Sequence, residues 1–263
     1  MIITSTQNPA IKTILLLQEK PRARKENNLI VIEGIREVRL ALFAGFEITT
    51  IYYCPAVMGD EMLDELSTIP EKDRIEVSEM VFSKIAYREG SGGMIALARP
   101  RILKLKDLLL GESPLILVLE SVEKPGNLGA LLRTADAANL DAVIVCDPQT
   151  DIFNPNAIRS SLGCIFTMPV VTASSQETIH WLREKKICTY GTALTATENY
   201  HESDFRIPSA IIMGSEAKGL SNTWLEQADK LIKIPMMGKI DSMNVSASAA
   251  IVVFEAKRQR SFR

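Results

Sequence analysis

Apolar residues in the first hundred positions recur first with a helical period and then with a strand period. Residues 8–19 place Ile and Leu three and four positions apart, which predicts an amphipathic helix. The polar stretch KPRARKENN follows and is expected to be solvated. Short apolar runs then indicate a small α/β unit with a helix over Arg36–Phe43. Its predicted strands are Leu29–Ile32, Ile48–Tyr53, Arg74–Val77 and Met94–Ala98.

The second half of the chain carries strand-length runs that are apolar at nearly every position. Strands with two apolar faces are typical of a largely parallel sheet covered on both sides by helices. The alanine-rich stretch Val245–Arg260 turns basic at its end, which predicts a C-terminal helix. The strands predicted here are Leu115–Leu119, Ala142–Cys146, Val170–Val171, Ile187–Tyr190, Ala210–Met213 and Leu231–Ile234.

A charged, proline-containing stretch, Arg99–Lys106, separates the two α/β patterns. Since domain boundaries fall in such polar segments, we expect one domain over residues 1–103 and a second over residues 104–263. With 263 residues, 46% of them hydrophobic, the chain has enough apolar material for two packed cores. The sequence therefore predicts an α/β protein with two domains.

The net charge of −2 excludes a chain-wide basic field of the kind that marks many nucleic-acid binders. A nucleic-acid partner would have to be held by local clusters, for which Arg22 and Arg24 near the start are candidates. Four cysteines without a C-x-x-C pair favour a reducing cytoplasm. We expect no export signal and no membrane span, because the apolar runs are too short.

Ligands of parallel α/β sheets lie beyond the carboxyl ends of the strands, so the loops that follow predicted strands are searched for chemistry. After Leu115–Leu119, a Pro-Gly-Asn turn ends at Asn127, which is expected to cap the next helix. Arg133 follows beside the apolar stripe of that helix. It is either a surface arginine that snorkels or a cation that meets an anionic ligand.

Two further loops carry small and polar residues. The loop from Gly214 to Gly219 matches neither the dinucleotide fingerprint nor the P-loop, and a tight turn with a solvated Glu216 is its plain interpretation. The loop after Leu231–Ile234 brings Ser242 and Asn244 to the start of the C-terminal helix. There they either cap the helix or present hydrogen-bond donors to a ligand.

Taken in order, these loops resemble the three motifs of the SpoU family of S-adenosylmethionine-dependent RNA 2′-O-ribose methyltransferases, within the SPOUT superfamily. The matching segments are Asn127-x5-Arg133, Gly214-x-Glu216-x2-Gly219-Leu220 and Ile234-Pro-Met-x-Gly-x3-Ser-Met-Asn-Val-Ser246. The first domain, with its Val31-Ile-Glu-Gly34 turn, is similar to the L30-type substrate-binding domain that many members carry.

The resemblance implies a fold, a cofactor and a partner. The fold would be an L30-like α/β domain followed by a largely parallel α/β domain with a deep trefoil knot, and the protein would be a homodimer. S-adenosylmethionine would lie against Gly214, Ile234 and Met243. The substrate would be structured RNA, and we favour ribosomal over transfer RNA because of the separate N-terminal domain. No metal is expected, because His180 and His201 lack ligand spacing.

The resemblance also assigns roles to the polar residues of the motifs. Arg133, Glu216, Ser242 and Asn244 would be catalytic, while Asn127 would contact the substrate. Because a guanidinium holds its proton at any ordinary pH, we expect Arg133 to stabilise a developing alkoxide rather than to act as a base. Glu216 is expected to be a hydrogen-bonding or charge partner of Arg133.

Two other functions compete with this interpretation. One is a catalytically silent RNA-binding or ribosome-assembly protein with the same fold. The intact Asn127, Arg133 and Glu216 argue against it. The other is an enzyme that acts on a base or a small molecule, against which the L30-like domain argues, since such domains bind structured RNA.

Overall fold

A computed structural model gives the structure of the chain and describes residues 2–59, 69–87 and 92–262. The chain forms two compact units, Met1–Arg101 with Phe153–Thr167, and Ile102–Ile152 with Met168–Arg263. The short segment Phe153–Thr167 thus groups with the first unit, although it lies inside the range predicted for the second domain. Within the described ranges, no helix is long and apolar enough to cross a membrane.

The first unit is built on a five-stranded mixed sheet in the order β1-β4-β3-β5-β2. Strand β5 pairs antiparallel with β2 and β3, while β4 pairs parallel with β1 and β3. The four strands predicted for this region are present. The strands are β1 (Ile2–Ile3), β2 (Ile30–Glu33), β3 (Ile48–Tyr53), β4 (Arg74–Val77) and β5 (Met94–Ala98).

Helices cover this sheet and bury their apolar stripes against it. The helix predicted over residues 8–19 is observed, and its buried residues Ile11, Ile14 and Leu17 follow the three- and four-residue spacing. They join a core with strand residues such as Val31 and Ile95. The described helices of the first ninety residues are α1 (Pro9–Glu19), α2 (Pro21–Asn27), α3 (Ile35–Phe43) and α4 (Glu79–Ile85).

Most of the KPRARKENN stretch is exposed, as expected, but it is helical and buries Ala23 and Arg24. Pro21 begins a second helix, α2, since proline fits the first helical position, and Asn28 ends it in the left-handed conformation. Arg24 lies buried beneath this helix, where its guanidinium Nη1 donates to the carbonyls of Leu17 and Gln18 at 2.6 and 3.2 Å. The charged side chain of Arg24 can be buried because its guanidinium donates hydrogen bonds to carbonyl groups at the C-terminal end of α1.

Two short helices from the middle of the chain, α6 (Pro155–Ser160) and α7 (Cys164–Thr167), pack in the first unit. Phe46 meets Phe166 edge-to-face with ring centroids 5.0 Å apart. Gly163, at φ +84, lies so close to α3 that a Cβ there would be 2.8 Å from Leu40 Cδ1. Aromatic packing and a glycine contact hold this segment in place.

The second unit is built on a seven-stranded sheet whose pairings are all parallel, in the order β10-β12-β9-β11-β6-β7-β8. This confirms the predicted largely parallel α/β fold. The central strands are buried along their whole length, as their two apolar faces indicate. The strands are β6 (Leu115–Glu120), β7 (Ala142–Cys146), β8 (Val170–Ala173), β9 (Cys188–Thr192), β10 (Glu198–Asn199), β11 (Ser209–Met213) and β12 (Lys230–Lys233).

Four helices of the second unit flank the sheet, and several begin at clear caps. Ser174 and Glu177 form a reciprocal capping box at the start of α8. Helix α10, the predicted C-terminal helix, begins after Asn244 and packs against α5 and β11. These helices are α5 (Pro125–Ala137), α8 (Ser175–Glu184), α9 (Asn222–Gln227) and α10 (Val245–Gln259).

The strand order of the second unit reverses direction between β6 and β11. From β6 the chain moves outward to β7 and β8, then returns on the other side of β11 to form β9. Strands β6, β9, β11 and β12 all point the same way, so their carboxyl ends share one edge. Such a reversal opens a crevice at this edge, which is where ligands of parallel sheets bind.

Candidate active site

A cavity of about 590 Å³ lies at this edge of the second unit. Its walls come from the loops after β6, β9, β11 and β12 and from the start of α10. The volume lies within the usual range for small-molecule and cofactor sites. Seven of the predicted site residues line it: Asn127, Gly214, Glu216, Ile234, Ser242, Met243 and Asn244.

A chain of side-chain hydrogen bonds joins one residue from each of three loops. Asn127 Nδ2 donates to Glu216 Oε1 at 2.6 Å, and Asn244 Nδ2 donates to Asn127 Oδ1 at 3.3 Å. Asn127 stands in the first turn of α5, Glu216 follows β11 and Asn244 precedes α10. The Glu216–Asn127–Asn244 relay therefore ties the three sequence motifs into one wall of the cavity.

The Glu216 carboxylate is held by several hydrogen bonds that stabilise its negative charge. Partial burial opposes its ionisation, but the hydrogen bond from Asn127 and backbone hydrogen bonds, including that from Glu123, outweigh burial and lower the pKa of Glu216. A carboxylate that accepts several hydrogen bonds is a poor proton acceptor. Glu216 consequently holds Asn127 in position and stays ionised near neutral pH.

The Gly214–Gly219 loop closes on itself. Ser215 and Gly219 exchange two backbone hydrogen bonds of 3.0 Å, and Gly219 has φ +67. A Cβ on Gly214 would lie 2.1 Å from the carbonyl carbon of Gly219, so no other residue fits there. The expected tight turn is present, and it also positions Glu216 to accept the hydrogen bond from Asn127.

The third loop carries exposed polar residues up to the start of α10. Asn244 is the N-cap of that helix, where its Oδ1 accepts the backbone N–H of Ser246 at 2.9 Å. Its Nδ2 donates to Asn127, so the same side chain caps α10 and takes part in the relay. Ser242 is exposed, with its hydroxyl 3.2 Å from Asp241 Oδ1, and Met243 is 36% exposed at the cavity.

Asn127 does not cap the helix that carries it, contrary to expectation. Helix α5 begins at Pro125, with Lys124 as N-cap, because proline is suited to the first position. The N-cap is thus Lys124, three residues before Asn127, which places Asn127 within the first turn. Its side chain is then available to Glu216 and Asn244.

Arg133 is exposed and is not among the residues that line the cavity. It lies six residues beyond Asn127, which turns it roughly 240° around the helix axis. The partner of Glu216 in this structure is Asn127 rather than the expected Arg133. Among the described residues, no hydrogen bond or ion pair engages the Arg133 guanidinium, so its charge is open to a ligand.

The two arginines predicted to contact substrate differ in accessibility. Arg22 pairs with Glu26 at 2.6 Å, but both side chains are exposed and such a pair is weak, so the guanidinium remains accessible to a phosphate. The prediction for Arg24 is wrong, because its side chain is buried and bonded to the end of α1. The sequence KPRARKENN contains no apolar pattern that shows which of the two arginines is buried.

Several residues that line the cavity or support its loops were missed from the sequence. Glu120, at the buried end of β6, accepts the backbone N–H of Ser221 at 2.8 Å and so ties β6 to the segment after the Gly214–Gly219 loop. Thr192, the last residue of β9, and Thr195, which follows it, line the cavity, as do Lys124 and Ser248. The rule that ligands lie after strand ends could have found the threonines, since β9 was predicted.

Family models match both halves of the chain. Residues 114–254 match the SpoU rRNA Methylase family, and residues 8–96 match an MRM3-like substrate binding domain. The fold and the site define a methylase of the SpoU class. The chain belongs to the SpoU rRNA methylase family, which confirms the resemblance drawn from the three motifs.

A curated relative and solved structures match along nearly the whole chain. The 23S rRNA (guanosine(2553)-2′-O)-methyltransferase RlmP of Bacillus subtilis is 30% identical over 97% of this chain and 98% of its own. A crystal structure of an RNA 2′-O ribose methyltransferase is 39% identical, with TM-score 0.87, over 99% of this chain and 100% of the other. The AdoMet-bound rRNA methyltransferase of Sinorhizobium meliloti has TM-score 0.90 and 29% identity over 98% and 97% of the two chains.

Proposed function

We propose that this protein transfers a methyl group from S-adenosylmethionine to a ribose 2′-hydroxyl of ribosomal RNA. The Glu216–Asn127–Asn244 relay carries this proposal, because it joins the three family motifs at one cofactor-sized cavity. The names of the relatives favour ribosomal over transfer RNA. The relatives are named for different nucleotides, guanosine in one case and uridine in another.

The cavity suits the cofactor chemically. Apolar side chains can pack against an adenine ring and a methionine chain, while backbone groups of Gly214, Ile234 and Met243 can bond the polar edges. We assign those three residues to cofactor binding. The apolar lining includes Leu220, Leu225, Ile232, Met243 and Val252.

When bound, S-adenosylmethionine supplies an electrophilic methyl group on a sulfonium. The residues of this chain must align a ribose hydroxyl and manage the charge that develops as its proton leaves. We assign Ser242 and Asn244 to substrate orientation and Asn127 to substrate contact. Since the pKa of Glu216 is lowered, we assign it to holding Asn127, and an RNA phosphate or a water would take the proton.

Arg133 would stabilise the developing alkoxide. Because the cavity of its own chain does not include Arg133, we propose that the protein works as a homodimer in which Arg133 serves the cavity of the partner chain. A half-exposed apolar stripe on α10, formed by Ala247, Ala250, Ile251 and Phe254 at helical spacing, suits a second copy. The trefoil knot and the cytoplasmic location remain predictions.

The first test is calorimetric titration of the protein with S-adenosylmethionine in the presence of a chelator. We expect binding without added metal and an increase in thermal stability that follows mass action. Ser248→Phe should block the cavity and abolish binding, whereas Ser83→Phe, at an exposed position of the first unit, should not. Absence of binding at millimolar cofactor would overturn the enzymatic proposal and favour a silent RNA-binding protein.

A further inference from the structure

Tyr87 is an exposed aromatic side chain framed by two residues of helix α6. It is 53% exposed, and the guanidinium carbon of Arg159 lies 5.1 Å from the centroid of its ring. Asn156 Nδ2 donates to the Tyr87 hydroxyl oxygen at 3.0 Å. All three residues belong to the first compact unit, well separated in sequence from the motif loops.

The Tyr87 ring is held in position by a hydrogen bond from the Tyr87 backbone as well as by the hydrogen bond from Asn156 to its hydroxyl. The backbone N–H of Tyr87 donates to Oε2 of Glu33, a residue 7% exposed at the end of β2. On the other side, Ala157 and Ile158 are buried and anchor α6 in the first unit. An exposed ring held in this way loses little conformational entropy when something packs on it.

Arg159 brings an available positive charge to the same place. Over the ranges that the structure describes, its guanidinium contacts the Tyr87 ring and no carboxylate pairs with it. Guanidinium groups recognise phosphates with a planar fork and also stack on aromatic faces. A solvent-exposed tyrosine with a cation at its face thus combines the two features that single-stranded nucleic acid requires.

We propose that Tyr87, with Arg159 and Asn156, forms a stacking platform for an unpaired nucleobase of the RNA substrate. The base packs on the phenol ring, and Arg159 contacts a neighbouring phosphate. This inference rests on the proposed function, since it takes RNA as the substrate. It deepens that function by predicting that recognition requires an unstacked nucleotide in a loop or bulge outside the methylation site.

The platform combines the two matched regions of the sequence. Tyr87 lies in the segment that matches the substrate binding domain, whereas Asn156 and Arg159 lie in the segment that matches the methylase family. Both regions must therefore be present in one chain for the platform to form.

The test compares two RNA probes by fluorescence anisotropy: a hairpin with an unpaired adenine loop, and a blunt duplex of the same stem. We expect Tyr87→Ala to weaken hairpin binding on the order of 10-fold and to leave duplex binding within about twofold. Tyr87→Phe keeps the ring and loses only the hydrogen bond from Asn156, so its binding should stay much closer to that of the wild type than to that of Tyr87→Ala. Phe43→Ala is the matched control, because Phe43 is an 86% exposed aromatic of the same unit.

Stacking itself is read from 2-aminopurine placed in the hairpin loop. Its fluorescence should be quenched on binding to the wild type and to Tyr87→Phe, and less so with Tyr87→Ala. Arg159→Gln should weaken both probes, since it removes a phosphate contact, and should reduce the salt dependence of binding. Cofactor affinity and thermal unfolding, measured for each variant, show whether the fold is intact.

Three results would overturn the platform: hairpin binding unchanged in Tyr87→Ala, equal losses for hairpin and duplex, or equal quenching by Tyr87→Ala and the wild type. If Tyr87→Ala fails to fold, Tyr87→Leu and Tyr87→Phe decide the question in the same assays. A wild type that binds no S-adenosylmethionine but quenches the loop probe would instead refute the proposed function and leave the platform standing.

Discussion

Replacing Asn127 by alanine removes the central member of the relay. The variant loses the 2.6 Å hydrogen bond to the Glu216 carboxylate and the 3.3 Å bond from Asn244. A hydrogen bond to a charged group contributes roughly 1.5–3 kcal/mol and a neutral one roughly 0.5–1.5 kcal/mol. Since both bonds lie near solvent, we expect the free energy of unfolding to fall by about 2 kcal/mol, at the low end of their sum.

This loss should appear as a decrease in Tm of roughly 4–8 °C in thermal unfolding of the full chain. Methyl transfer should be affected more strongly, because the relay sets the relative positions of three loops and small displacements of reacting groups are costly. The assay is single-turnover transfer from S-adenosylmethionine to ribosomal RNA. Asn222→Ala, an exposed asparagine of the same unit, is the control and should match the wild type.

A double-mutant cycle identifies the interaction responsible. Glu216→Gln keeps an oxygen that can accept from Asn127 but removes the charge, so it should be milder than Glu216→Ala in stability and in transfer. Asn127→Ala combined with Glu216→Ala should show a coupling free energy of about 1–2 kcal/mol. Additive effects, or an Asn127→Ala variant with the Tm and transfer rate of the wild type, would refute the relay as an organiser of the site.

Further predictions concern arginines. Arg133→Ala should lower single-turnover transfer by roughly 10²–10³-fold with unchanged cofactor affinity, and Arg133→Lys should rescue it poorly. Co-expression of Arg133→Ala chains with Asn127→Ala chains should restore transfer if the arginine acts across a dimer, and no restoration would place it in its own chain. Arg24→Ala should cost about 2 kcal/mol of stability in a denaturant titration, whereas Arg22→Ala should cost nothing measurable and weaken RNA binding alone. Arg260→Ala should unfold at lower temperature, because its guanidinium bonds the carbonyls at the starts of β6 and β11; an unchanged Tm would contradict this.

Protonation of Glu216 gives the relay a defined pH dependence. Its pKa is lowered in the folded chain, so the stability it contributes is present above its ordinary pKa of 4.5 and is lost as the pH falls through the lower folded value. Stability measured between pH 8 and pH 3 should therefore decline in acid more steeply for the wild type than for Glu216→Gln. Parallel curves for the two proteins would show that the charge contributes nothing.

Much of the fold could be predicted from periodicity. Buried parallel strands such as Leu115–Glu120 are apolar on both faces, and their signal is strong because burial itself selects those residues. The two-residue strands Ile2–Ile3 and Glu198–Asn199 were missed, because so short a run has no period. Helix α2 was missed because it buries only Ala23 and Arg24, which are too few to form an apolar stripe.

The sequence identified most of the residues that form the site, but not which of them contact one another. Motif spacing brought Asn127, Glu216 and Asn244 into consideration, and they meet because parallel strands deliver their loops to one edge. That Asn127 rather than Arg133 would pair with Glu216 depended on where α5 begins, which Pro125 fixes to within a residue or two. Tyr87 and Arg159 lie 72 residues apart by number, and no local pattern relates them.

The most direct test of the function is a map of 2′-O-methylated riboses in ribosomal RNA. RNA from cells that lack this protein is incubated with the purified wild type or with Asn127→Ala, in each case with S-adenosylmethionine, and the methylated positions are compared. We predict that the wild type adds a single 2′-O-methyl site. The same site should be methylated in RNA from cells that contain the protein, and its methylation should be greatly reduced with Asn127→Ala. Identical maps with and without the wild type, from a protein that still binds the RNA, would contradict the assignment of a methyltransferase.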